Sequence, residues 1–335
     1  MTTVSAPNKT ELRPFTFSED DYRDWVAIGN AALPEYARTV EEVRAWDAQQ
    51  DPKCLSLRWL AEFDGRTVGR GSLYQFPWTY HPRKFYADLT VIPEFQGVGV
   101  GTTLFRTIHD ELMARDPLSV RCKVREDWTR GFRFAQDRGF VEDFREWESR
   151  LNVETFDGTP FADRYREPAK HGIVIKTAGE LRDERPDFFE AWYEMDVEAT
   201  AGVPTPEPIT FLPIDRWRKH FEENPNILWD AIFLAVDTDN GKVAGVTSLW
   251  KRQKDSDLET GFTGVRPAYR RKGIAFALKL RAIEYARSVG CPTIRTDNAS
   301  INRPMLSINE ALGFEKQPAW IEMIRTFARE TPETG

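Results

Sequence analysis

Six residues, Arg270-Arg271-Lys272-Gly273-Ile274-Ala275, have the types and order needed to hold an anion. A run with strand character, Leu258 to Val265, leads into them, and a run with helical character, Phe276 to Ser288, leads away. The first amides of a helix have no carbonyl partner inside it, and the helix dipole adds partial positive charge at that end. Gly273 leaves space for a phosphate to approach closely, so the turn reads as an anion cradle. The same turn occurs 174 residues earlier as Gln96-Gly97-Val98-Gly99-Val100-Gly101, with Gln96 matching Arg270, Gly99 matching Gly273 and Gly101 matching Ala275. A P-loop nucleotidase is a different case, because it needs Gly-Lys followed by Ser or Thr. Here Lys272 precedes Gly273 and neither hydroxyl residue follows.

The elements that position these turns repeat with them. At the same offset lie Leu104/Leu278, Ile108/Ala282 and Leu112/Ala286, the inward stripe of each following helix, and Gly139-Phe140/Gly313-Phe314. Val91-Ile92-Pro93 matches Val265-Arg266-Pro267 upstream. This gapless agreement reads as an internal duplication. In the first half a strand over 12–17, two helices within 20–50 broken near Pro34, a hairpin over 55–74 and a strand over 85–92 precede the cradle. A helix over 102–115, a strand over 119–124, a helix over 129–137 and a strand over 141–153 follow it. The second half repeats this order. Residues 1–10 read as a loose polar tail. The domains are placed at 11–154 and 171–328, with 155–170, which holds Gly158, Pro160 and Pro168, as linker.

Composition narrows the function classes. A chain of 335 residues suits two cores of ordinary size. A formal net charge of −7 disfavours a nucleic-acid surface and favours a cationic small substrate. Three scattered cysteines, Cys54, Cys122 and Cys291, read as reduced, and four histidines show no metal-ligand spacing, so no metal is expected. No apolar run approaches the length of a membrane span, and the N-terminus lacks the apolar segment of a signal peptide, which together imply a cytoplasmic protein.

Strand, Gln/Arg-x-x-Gly-x-Gly/Ala turn and helix, followed by Asn298 and Asn302-x-x-Met305-x-x-x-Asn309-x-x-Leu312-Gly313-Phe314, resemble the GNAT superfamily of acyl-CoA-dependent N-acetyltransferases. The resemblance covers nearly the whole chain as a tandem pair, like the two-domain bacterial members. It implies an α/β (α+β) fold of two GNAT-type domains, each a curved mixed sheet flanked by helices, with the fourth and fifth strands splayed apart around the cofactor. It implies acetyl transfer from acetyl-CoA to a primary amine of a small molecule or peptide, with the alternative of a non-catalytic acyl-CoA-binding or sensing protein. Either a monomer, as an internal pseudo-dimer, or a homodimer is compatible.

Carried onto this chain, the resemblance assigns coenzyme A contacts to Arg270, Arg271, Lys272, Gly273, Ile274 and Ala275 around the pyrophosphate. It assigns Val265 and Asn302 to the pantetheine arm, and Gln96, Gly99 and Gly101 to the first cradle. Asn302 is also of the right type to cap its own helix. Glu259, eleven residues before Arg270, matches the strand glutamate that serves as general base in some members. A carboxylate beside a partly apolar cleft can take a proton from an ammonium. At the same offset Phe85 stands in place of Glu259, Trp128 in place of Asn302 and Ala135 in place of Asn309, so the first domain is expected to be degenerate and the second catalytic. The tyrosine that many members place at the position of Asn309 as general acid is absent. The acceptor site is expected among residues 203–213, Trp217, Trp250 and Trp320, with core packing the alternative role for each tryptophan.

Overall fold

The computed structural model describes residues 10–328, so most of the polar tail read over 1–10 lies outside the described residues. The elements, in chain order, are β1 (Thr10–Pro14), α1 (Glu19–Ala32), α2 (Val40–Ala48), β2 (Ser56–Phe63), β3 (Arg66–Tyr74), β4 (Lys84–Val91), α3 (Val100–Met113), β5 (Ser119–Arg125), α4 (Thr129–Gln136) and β6 (Val141–Asn152). After α5 (Ala162–Arg166) the order returns: β7 (Ile173–Thr177), α6 (Ala178–Glu184), α7 (Phe188–Thr200), α8 (Ile214–Glu223), β8 (Ile227–Asp237), β9 (Val243–Lys251), β10 (Leu258–Val265), α9 (Ile274–Ser288), β11 (Thr293–Ala299), α10 (Arg303–Ala311), β12 (Glu315–Lys316) and β13 (Trp320–Thr326).

Local chemistry sets several boundaries. Ser18 accepts from the Asp21 amide at 3.2 Å and starts α1. Capping boxes open α2 (Thr39 with Glu42) and α6 (Thr177 with Glu180). Helix α6 is absent from the sequence reading, although its capping box is legible there.

The chain forms two compact units, and they are not the two linear halves. Among the described residues the first comprises 10–124, Trp128–Asp143 and 322–328; the second comprises Arg125–Asp127 and Phe144–Ile321. Most of β6 therefore belongs to the second unit, where it pairs antiparallel with β11 from Thr293↔Asn152 to Ala299↔Glu146. Most of β13 belongs to the first, beside β5. A linear division at 154 puts both strands elsewhere, because hydrophobic alternation marks a strand without naming its neighbour. Residues 155–170 also differ from a linker: they lie in the second unit, and Phe156, Phe161 and Tyr165 pack on its core.

The first sheet runs β1-β2-β3-β4-β5-β13 and the second β7-β8-β9-β10-β11-β6. One parallel junction in each, β4–β5 and β10–β11, splays. The first pairs only from Lys84↔Ser119 to Tyr86↔Arg121, and the second only at Leu258↔Ile294 and Glu259↔Arg295, although all four strands continue. The helix that leaves each cradle packs on one face of its sheet, α3 against β3 and β4 and α9 against β8, β9 and β10. Helix α3 buries Val100, Leu104, Ile108 and Leu112; α9 buries Ile274, Leu278, Ala282 and Ala286. The opposite face of the second sheet is covered by α7, which buries Phe188, Phe189, Trp192, Met195 and Ala199.

One prediction arises from the first unit. Burial would raise the pKa of Asp21, but hydrogen bonds from Thr16 Oγ1 (2.7 Å), the Arg13 guanidinium and the Thr16 amide (2.6 Å) outweigh it and hold the carboxyl well below the usual range. A depressed folded-state pKa stabilises above the unfolded value of about 4 and loses that contribution as pH falls. Asp21→Asn is expected to melt lower at neutral pH, with a shallower loss of melting temperature on acidification. Parallel acid profiles of the two proteins by thermal unfolding would contradict this.

Candidate functional site

Both cradles have the geometry their sequences imply. In the second, Arg271 and Gly273 take left-handed φ values of +65° and +72°, and α9 starts at Ile274. The first intrahelical bond from Gly273 is made by the Ala277 amide at 3.0 Å, which leaves the amides of residues 274–276 without helical partners. Arg270 Nε donates to the Val265 carbonyl at 3.2 Å. In the first cradle Gln96 Nε2 donates to the Val91 carbonyl at 3.0 Å, and Gly97 and Gly99 take φ of +91° and +105°. The leading side chain of each turn thus latches the loop to the strand before it. Left-handed φ and bare amides at a helix start fit a phosphate group.

The cradles differ in their neighbours. A side chain built at Gly99 would meet nothing within 4 Å, and one at Gly97 would lie 3.2 Å from Arg130 Nη1. One built at Gly273 would lie 2.9 Å from Glu167 Cγ. The first cradle is open, with a guanidinium beside it; the second has an acidic side chain from the connecting segment against it.

Glu259 sits at the last paired position before β10 leaves β11. Its side chain is half-exposed, and its Oε2 lies 3.9 Å from Arg252 Nη1. The surroundings are more polar than an apolar-cleft reading implies. Arg252 Nε also holds both oxygens of Asp255 at 3.0 Å, and Arg295 holds Asp257 at 2.6 and 2.8 Å. Asp257 is thereby committed to an ion pair. Just beyond Glu259 the strand bulges between Thr260 and Thr263, and the Phe262 amide donates to Ser248 Oγ at 3.1 Å.

The bulge changes the correspondence between halves. Glu259 stands opposite Trp250, whereas in the first sheet Tyr86 stands opposite Tyr74, and β3–β4 carries no bulge. The counterpart of Glu259 is Tyr86. The expected match to Phe85 fails because one extra residue in β10 shifts the alternation by one and reverses the face.

Asn302 accepts from the Met305 amide at 3.4 Å and caps α10. Trp128, at the start of α4, makes no side-chain cap. Asn309 is buried, donates to Asn298 Oδ1 at 2.6 Å, and keeps its own Oδ1 buried without a partner. Lys279, on α9, is 3% exposed; burial pulls its pKa down to about 8, and its ammonium lies 5.1 Å from the Phe314 ring.

On the opposite face, Trp217 is buried against Trp192 and Tyr193, and its Nε1 donates to Asp196 Oδ2 at 2.9 Å. Burial pushes Asp196 up to about 6, opposed by that hydrogen bond. Trp250 is half-buried, 5.8 Å from His220, with its Nε1 unpartnered. Trp320 is half-buried. Asp196 and His220 escaped the sequence reading. The only signal for Asp196 was its helical spacing from Trp192 and Ala199, which sets a carboxylate on an apolar stripe. Among the described residues no helix is long and apolar enough to cross a membrane, and no cluster of possible metal ligands occurs.

Residues 19–140 and 189–314 match the model of the acetyltransferase (GNAT) family. The chain is similar to a mycothiol acetyltransferase of Thermobifida fusca (strain YX), at 26% identity over 240 residues, covering 68% of this chain and 71% of that protein. Among solved structures it resembles a tandem GNAT protein from the clavulanic acid biosynthesis pathway, with a TM-score of 0.74, 19% identity and coverage of 96% of this chain and 100% of that one. A GCN5-related N-acetyltransferase from Sphaerobacter thermophilus aligns at a TM-score of 0.67 and 18% identity, over 98% of each chain. At these identities the two structures speak to the fold.

Proposed function

The chain belongs to the acetyltransferase (GNAT) family, and from that premise we propose that it moves an acetyl group from acetyl-CoA to a primary amine of a small molecule or peptide, with the chemistry in the second unit. The observation that carries this reading is the position of Glu259. It is the last residue of β10 paired to β11 before the gap opens, on the strand that leads directly into the cradle.

In this reading the amides of residues 271–275 hold the pyrophosphate of coenzyme A, with Gly273 giving it access and Arg270 fixing the loop to Val265. Val265 and Asn302 flank the pantetheine arm. The donor supplies an activated acyl thioester. Glu259 accepts the proton of the attacking amine, directly or through one water. Asn309 has no acidic proton and is tied to Asn298, so it serves in the wall of the cleft. Backbone donors and the approximation of the two reactants then supply much of the rate.

The test is release of free coenzyme A thiol from acetyl-CoA across a panel of primary amines. Amine-dependent release is expected. Tight acetyl-CoA binding without release for any amine would favour a sensing protein and end this reading. In the same reading the first unit keeps Gln96, Gly99 and Gly101 for cofactor binding without turnover. Gly99→Glu is therefore expected to retain amine-dependent release, and loss of release with the second site still occupied would refute that division.

A further inference from the structure

The corrected register puts a second carboxylate where the sequence reading expected none. In β4, Tyr86 and Asp88 project to one face of the sheet, opposite Tyr74 and Ser72 of β3. Strand β4 parts from β5 after Tyr86↔Arg121, so Asp88 lies just inside the gap of the first unit. Among the described residues no cation lies within ion-pair distance of Asp88 and no donor holds its carboxylate. The Arg70 guanidinium donates to the Trp25 carbonyl at 2.7 Å and attracts Asp88 only from beyond ion-pair distance.

Glu322, which β13 contributes to this unit, adds a second acidic group, 3.8 Å from Arg121. Burial, Asp88 and Glu322 together hold the Tyr74 hydroxyl well above the usual phenol range and push the Cys122 thiol up to about 12. Both side chains stay protonated and neutral at physiological pH.

From this point a continuous file of rings runs to the surface. Tyr74 stacks on Tyr86 at 5.8 Å, and Phe76 contacts both at 5.1 and 4.8 Å. Trp78 stacks on Phe76 at 4.7 Å, and Trp46 of α2 meets Trp78 edge-on at 5.8 Å. The two outermost rings are exposed, Trp46 at 41% and Trp78 at 37%. Large exposed aromatics in contact with one another are an uncommon use of surface. Faces of this kind attract cations and apolar groups alike.

We infer that the first unit binds a cationic amine bearing an aromatic or apolar body, its ammonium drawn to Asp88 and its body laid on the rings of Tyr86, Phe76 and Trp78. The amine class rests on the acetyl-transfer reading; the site rests on the first unit's own residues. The assignment is one of binding and asks for no turnover in this unit. The ring file supplies the apolar share of the affinity, and Asp88 supplies the discrimination of ammonium from a neutral isostere.

The test uses the full chain without acyl donor, titrated calorimetrically with 2-phenylethylammonium chloride and with 2-phenylethanol. Wild type is expected to bind the amine about tenfold or more tightly than the alcohol. Asp88→Asn should remove that preference and leave the alcohol unchanged, whereas Trp78→Ala, at the surface, should weaken both. Glu259→Gln should leave this binding event intact. Equal amine affinity in wild type and Asp88→Asn would overturn the inference. So would the absence of saturable amine binding by wild type, or its loss in Glu259→Gln alone. Because no donor is present, failure of acetyl transfer and failure of this site are read out separately.

Discussion

Replacing Glu259 by Gln is expected to lower amine-dependent turnover by about 10²–10⁴-fold, the usual worth of a positioned general base. The substitution keeps the shape of the side chain and its place beside Arg252, 3.9 Å away, but removes the capacity to accept a proton. Affinity for acetyl-CoA should change little, because Glu259 faces the side of the sheet on which Trp250 lies, and the cradle begins after Val265. The loss should therefore fall on kcat with the binding constant of the donor preserved. The pH–rate profile distinguishes the roles on an amine of known basicity: the limb contributed by the amine persists in both proteins, and that contributed by the base vanishes in the variant. Superimposable profiles would remove Glu259 from the mechanism. The search would then move to Asp196, whose carboxyl burial pushes up to about 6 beside Trp217. Asp257 is a poor substitute, since Arg295 holds it at 2.6 and 2.8 Å.

Gly273→Glu is expected to abolish acetyl-CoA binding at the second cradle. Three effects act in one direction. The residue has φ of +72°, which an L side chain adopts at a cost of about 1–2 kcal/mol. Its Cβ would lie 2.9 Å from Glu167 Cγ, so the connecting segment must shift. A third effect is electrostatic: a carboxylate at a helix start opposes a pyrophosphate there and uses the same amides. Gly273→Ala separates these, because it keeps the strain and the contact but adds no charge, and should weaken binding far less. Calorimetric titration of folded variants reads the outcome as stoichiometry and affinity. Unchanged occupancy of the second site in Gly273→Glu would show that the phosphates lie elsewhere. Glu167 itself gives a complementary measurement: Glu167→Ala is expected to tighten anion binding at this cradle, more so at low salt, where surface charges are least screened.

Much of this was legible in the chain, and the physical reasons are specific. The cradles were readable because glycine and basic residues at a strand–helix junction have few other uses, and the repeat multiplied the signal. The inward stripes of α3 and α9 were readable because helical periodicity extends over four turns. The single inserted residue at Thr260–Thr263 was not, since a bulge keeps the composition of a strand while reversing its faces. That one residue hid the match of Tyr86 to Glu259 and left Asp88 unnoticed. Asp196 was hidden by a different cause: a carboxylate on a helix reads as solvent-facing until the neighbouring tryptophan donor is known. The pairing of β6 and β13 was beyond reach for a third reason, because strand partners are chosen by long-range contacts that leave no local mark.

The place of β13 also sets an order of events during synthesis. Strand β5 ends at Arg125, and the residues that complete the sheet beside it begin at Glu322. A ribosome adding about 5–20 residues per second takes about 10–40 s to make the intervening chain. Throughout that interval the newborn first unit carries an open strand edge with unpaired amides and carbonyls, the kind of edge that recruits other chains. The half of the protein that is made first is therefore the half that is finished last. Premature termination anywhere before Glu322 would leave that half without its closing strand, however intact its own contiguous sequence.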